Sequence, residues 1–195
     1  MEDIFENKKG EVTNTNVESK IFLDSFPTAM HSDVSSLLDK LYWKREHNST
    51  ECFPVKLGNE IIKIPYRIYY EEQTSQNLTN NEVFVLDCIF TRHHDGHVRE
   101  RRLRNILAVD SYVATPFITQ LLGEYVVEIL NVIKSQLTPN LIDNLIKLKL
   151  DNPRFFRKTE QRVQSYWNCY YKRTTRKADY VGFQILQTIN QKSSI

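Results

Sequence analysis

The chain is poor in the residues that most often declare a chemistry. It has three cysteines in 195 residues, and Cys52, Cys88 and Cys169 are far apart with no CxxC pair. An odd, scattered set of this kind implies neither a disulfide framework nor a paired-cysteine zinc site, and it suits a reducing compartment. Only five glycines are present, and none falls in a phosphate-loop, GxSxG or dinucleotide-binding pattern. No apolar run approaches the ~20 residues that a membrane-spanning helix needs. The opening residues, Met1 to Glu6, are acidic, whereas a secretory leader starts basic and turns apolar. The expectation is a cytoplasmic protein with no membrane contact and no cofactor.

Net charge is also small, +2 from 26 basic and 24 acidic residues, but it is unevenly placed. Residues 1–24 hold six acids against three lysines, while Arg154 to Lys177 hold eight cations and one acid, Glu160. Such asymmetry suggests that one surface meets an anionic or acidic partner.

What the chain does have is helical periodicity. Met1 to Phe26 lacks a firm period and reads as a loose arm, leaving 27–195 as a single mainly helical domain. Ser32 or Asp33 can cap a helix carrying Val34, Leu37, Leu38, Leu41 and Tyr42 on one face. Phe53–Leu57 and Ile61–Ile64, separated by Gly58-Asn59-Glu60, read as a short hairpin. From Thr79 onward the reading is helical. Thr79-Asn80-Asn81-Glu82 is a capping box opening a helix that ends near Asp95-Gly96, and a second runs from about His97 to Leu107. Thr115-Pro116 starts a third, whose two apolar ridges extend to Ile133 through Gly123, with Tyr125 on one of them. Gly123 at mid-helix costs about 1 kcal/mol relative to Ala, so close approach of another backbone is expected there. Thr138-Pro139 and Asn152-Pro153 start two more, and a last one spans about Tyr180 to Thr188. The fold class is therefore mainly α: antiparallel helices forming a compact bundle or a short right-handed superhelix, with a small β-hairpin near 53–64.

Asp95-Gly96-His97-Val98-Arg99, followed by Leu103, Ile106 and Leu107, resembles the intra-repeat turn and second helix of HEAT-type repeats. The resemblance implies a bond between the Asp and the Arg across turns, a layer packed by Val98 and the later aliphatics, and a module that binds proteins or nucleic acids.

Two segments could carry chemistry. His93, His94 and His97 with Asp95 are potential metal ligands, and they would have to converge at about 2.0–2.2 Å. Gly96 interrupts the helical turn that would align His94 with His97, and no Glu sits as in HExxH, so histidines at a helix junction are the main expectation. The other segment runs from Arg162 to Arg173, where Tyr166, Trp167, Tyr170 and Tyr171 lie between Arg162 and Lys172-Arg173. It could form a protein-binding hot spot, stack unpaired bases, or simply bury its aromatic side. Helical spacing puts Val163, Trp167 and Tyr170 on one inward face.

The function expected from these observations is a non-catalytic helical module that binds another protein, of the kind that an immunity or antitoxin protein uses to mask a toxin. Its partner-binding residues would be Arg99, Arg101, Arg102, Arg104, Arg162, Tyr166, Tyr171, Lys172 and Arg173. The alternatives are an RNA-binding module using the same cations, and a metal-assisted enzyme centred on His93, His94 and His97.

Overall fold

The computed structural model describes residues 19–41, 51–74 and 76–192. Helix α1 (His31–Lys40) follows a 3-10 turn, Thr28–Met30. It starts one residue before the expected cap, so Asp33 lies in its first turn and Met30, which makes no side-chain cap, precedes it. Tyr42 lies outside the described residues. Of the arm read over 1–26, residues 1–18 also lie outside them, whereas Phe22 and Phe26 are buried in the core. Phe26 stacks on Phe117 at 5.5 Å.

Strands β1 (Cys52–Leu57) and β2 (Glu60–Pro65) pair antiparallel, with Phe53 opposite Ile64 and Val55 opposite Ile62. These apolar residues share the inward face, and Pro54, Lys56, Ile61 and Lys63 point outward. The two-residue turn between the strands has Gly58 at φ +65°, the left-handed position that a primed hairpin turn gives to glycine. The hairpin is held on both sides. Lys63 N–H donates to the Asp24 carbonyl at 2.6 Å. On the other side, the Asn152 side chain accepts from Lys56 N–H at 2.7 Å and donates to its carbonyl at 2.8 Å.

The helical body comprises α2 (Asn80–Phe90), α3 (Gly96–Val109), α4 (Thr115–Leu122), α5 (Val127–Ser135), α6 (Pro139–Asp151), α7 (Pro153–Tyr166) and α8 (Val181–Lys192). Every residue of α4 is buried, because α5, α6 and α7 all pack on it. Among the described residues the molecule is a mainly helical bundle with one small hairpin, as the periodicity predicts. The break between α4 and α5 differs from expectation. Gly123 closes α4 rather than lying inside one long helix, and 123–126 form a corner. A Cβ at Gly123 would meet Arg162 Cδ at 3.3 Å and Thr159 Cγ2 at 3.4 Å, so side chains of α7, not a backbone, occupy the space that the glycine leaves. Among the described residues, no helix is long and apolar enough to cross a membrane.

The capping box forms as read. Thr79 accepts from Glu82 N–H, and Glu82 accepts from Thr79 N–H at 2.7 Å. The same carboxylate takes Lys40 Nζ at 2.6 Å and Ser36 Oγ at 2.6 Å, joining α1 to α2. The Lys40 contact first, then Ser36 and Thr79 N–H, hold the Glu82 carboxyl down at about 2. A folded value below the unfolded one means stability that is fully present above the usual carboxylate range of about 4.3 and lost as pH falls towards 2. Glu82→Gln should therefore lower the melting temperature at pH 7, and the gap from the wild type should narrow as pH falls from about 5 to about 2.5. Thermal unfolding followed by circular dichroism across that range checks this, and a gap independent of pH would contradict it.

Candidate functional site

The four-residue corner between α4 and α5 positions the most highly charged part of the interior. Glu124 is 5% exposed. Its Oε2 accepts from Arg99 Nε at 2.9 Å and lies 2.8 Å from Arg99 Nη2. Its Oε1 lies 2.8 Å from Arg67 Nη2 and 3.8 Å from Arg92 Nη2. Arg92 is fully buried. It donates to three carbonyls: Nη2 to Tyr66 at 2.8 Å, Nη1 to Thr91 at 3.1 Å and Nε to Pro65 at 3.3 Å. Burial pulls its pKa down to about 9, against the opposing pull of the Glu124 charge. Arg99 also donates to the His93 and His94 carbonyls at 2.9 and 2.8 Å. A buried cation stays charged only if such partners replace its water.

This geometry corrects the reading of the α3 arginines as a partner-binding patch. The 3.6-residue period puts Arg99 and Arg102 on the inward side with Val98, Leu103 and Ile106. Arg99 does not bond the Asp95 side chain as the HEAT resemblance implies. Asp95 instead caps His97 N–H at 2.8 Å, and Arg99 reaches past it to Glu124. Arg102 is held by Asp87 at 2.8 Å and by Glu72, with Phe90 beneath its guanidinium. Arg101 and Arg104 do face solvent, but each already has a carboxylate, Glu72 and Glu100 respectively.

His93 and His94 are similarly committed. His93 is buried, with Nε2 2.8 Å from the Tyr70 carbonyl and Nδ1 accepting from Asp95 N–H at 3.1 Å. Those two contacts together require the neutral ring protonated at Nε2, and burial accordingly lowers its pKa. His94 stacks on Tyr69 at 5.4 Å, while His97 is exposed. Among the described residues, no three His, Cys, Asp or Glu side chains are placed to hold a metal ion.

The C-terminal segment forms a surface. At the end of α7 the backbone takes a π turn, Trp167–Tyr171, with Lys172 N–H donating to the Trp167 carbonyl at 2.8 Å. The wider turn rotates Tyr170 away from the core face that 3.6 spacing gives it, and Tyr170 is 62% exposed. Tyr125, from the α4–α5 corner, is 50% exposed rather than part of an apolar ridge. Its ring lies 5.9 Å from Tyr166 and 5.7 Å from Tyr170, and the latter two are 6.1 Å apart. Three tyrosines from two elements thus meet at the surface. Tyr171 is their brace. Its hydroxyl donates to the Tyr125 carbonyl at 2.6 Å and its ring lies 5.1 Å from Tyr180. Trp167 is only half-buried, donating its indole N–H to the Thr175 carbonyl at 3.0 Å.

Lys172 and Arg173 flank the trio and, like Arg154, Arg157 and Lys158 along α7, are exposed without a carboxylate partner among the described residues. Arg162 is half-buried over the ring of Tyr66, at 5.6 Å from its centroid. Arg162, Tyr166, Lys172 and Arg173 are among the partner-binding residues expected from the sequence, whereas Tyr125 and Tyr170 are not. The one local signal for Tyr125 is Gly123-Glu124 interrupting an otherwise apolar run. No sequence signal marks the π turn.

Removing the buried carboxylate should be far more costly than removing a surface cation. Glu124→Gln leaves the guanidiniums of Arg99, Arg92 and Arg67 without their counter-charge and is expected to cost about 3–5 kcal/mol. Lys172→Gln should stay within about 0.5 kcal/mol of the wild type. Urea unfolding at pH 7 measures both, and a Glu124→Gln loss under about 1 kcal/mol would show that the carboxylate is not the anchor. No family model, curated protein or solved structure matches the chain.

Proposed function

We propose that the chain is a non-catalytic recognition module that binds an acidic protein through the face built by Tyr125, Tyr166 and Tyr170 and flanked by Lys172 and Arg173. The observation that carries this reading is the convergence of three tyrosines from two elements, two of them at least half exposed, beside cations that meet no carboxylate among the described residues. An exposed aromatic cluster leaves apolar area in water that a partner can bury. Tyr and Arg are the side chains that most often dominate binding energy, and unpaired charges at the rim steer a partner of opposite sign.

The mutual geometry favours a protein over unstacked bases. The rings are inclined to one another by 63°, 38° and 32°, so they pack among themselves and do not form a flat stacking platform. Masking of a toxin by an immunity or antitoxin-like protein is the setting to which this reading extends, since occlusion requires a binding face and no reaction.

The test is a pull-down from native lysate after nuclease treatment, with wild type and Tyr170→Ala run side by side. Tyr170→Ala should leave the melting temperature nearly unchanged, because the ring is mostly in water, and should weaken partner binding by roughly tenfold or more. Charge reversal at Lys172 and Arg173 should slow association and make it less salt-dependent. Recovery of nucleic acid alone, or equal capture by Tyr170→Ala, would overturn the proposal.

A further inference from the structure

Around Glu124 the charges do not balance. Arg67, Arg92 and Arg99 contact this one carboxylate. Arg162 is a fourth cation close enough to raise the electrostatic cost of charging Arg92, together with Arg67 and Arg99. The donors of Arg92 and Arg99 are taken up by Glu124 and by carbonyl oxygens. The two outer arginines are not so fully used. Arg67 gives one nitrogen to Glu124 and makes a long 3.4 Å contact to the Tyr66 carbonyl. Arg162 lies over the Tyr66 ring, and its guanidinium meets no acceptor among the described residues. Both side chains are partly open to solvent. Tyr66 thus carries one on its ring and the other as its chain neighbour, and behind them lies a net positive interior.

We propose that Arg67 and Arg162 together seat a phosphate-type dianion on this face. Arg67 from the strip 66–70 and Arg162 from α7 both lie beside Tyr66, and two planar guanidinium forks suit a tetrahedral group with three or more acceptor oxygens better than a carboxylate, which has two. The excess interior charge also favours a doubly charged ligand over a singly charged one. Tyr166 is one helical turn beyond Arg162 on α7, which links this seat to the tyrosine trio. The inference deepens the recognition reading above: the acidic partner presents a phosphoryl group there. It can be tested without that partner.

The experiment uses the full chain with inorganic phosphate as the probe, titrated against chloride and acetate at constant ionic strength. A dianion that binds the native state raises the melting temperature with concentration. The expected result is a rise in phosphate that acetate and chloride do not reproduce. Arg162→Gln should weaken the apparent phosphate affinity by roughly tenfold or more, the scale of losing one charge-assisted pair, while Arg162→Lys should lose less. Arg162 is the residue to replace because Arg67 also holds Glu124, and Arg162→Gln should melt close to the wild type in chloride. A phosphoserine-containing peptide that binds tighter than inorganic phosphate assigns the group to a partner, and equal binding assigns it to free phosphate. No phosphate-specific rise, an equal rise in acetate, or an undiminished rise in Arg162→Gln would overturn the proposal. Any of these would leave the tyrosine face to stand or fall on its own test.

Discussion

The structure depends on one carboxylate. Glu124 sits where α4 ends, in contact with arginines carried by α3, by the extended strip 66–70 and by the turn after α2. The strip 66–70 has little regular structure of its own. It is tied in place through Ile68, whose N–H donates to the Arg92 carbonyl and whose carbonyl accepts from His94 N–H. Without the negative charge at 124, the interior would hold several guanidiniums facing one another in a medium of low dielectric, where each repulsion is poorly screened. Buried ion pairs of this kind do not maximise stability, since apolar packing of the same volume often does as well. What they do here is fix how four chain segments meet.

That same corner shapes the surface. Residues 123–126 leave the helical path, which allows Glu124 to point inward and Tyr125 outward. Gly123 lets α7 come close enough for Thr159 and Arg162 to fill the space beside the backbone. The π turn at the end of α7 then swings Tyr170 towards Tyr125, and the Tyr171 hydroxyl bonds the Tyr125 carbonyl to close the arrangement. Buried charge and exposed aromatics are thus two sides of one break in one helix. A substitution that relaxes the corner would disturb both.

The arginines divide into two populations with different physics. Arg92, Arg99 and Arg102 are structural, saturated by carboxylates and carbonyls, and unavailable to a partner. Lys172, Arg173 and the outward cations of α7 lie in water, where each is worth little to stability and is free to act at longer range. Counting cations along the sequence cannot separate these groups, because the distinction lies in which helical face turns inward.

Much of the architecture was legible in the sequence. Local signals determined the helix starts at Thr79, Thr138-Pro139 and Asn152-Pro153, the hairpin around Gly58, and a mainly helical fold, because caps, prolines and side-chain period act within a few residues of themselves. The break at Gly123, the inward turn of Arg99 and Arg102, and the π turn that exposes Tyr170 were decided only in three dimensions. Each depends on a partner distant in the chain: Glu124 for Arg99, Glu72 for Arg102, and Tyr125 for the braced π turn. Short-range pattern determined which segments coil, but long-range charge pairing and close packing decided where the coils break and which side chains reach the surface, since those energies arise only once the segments have met.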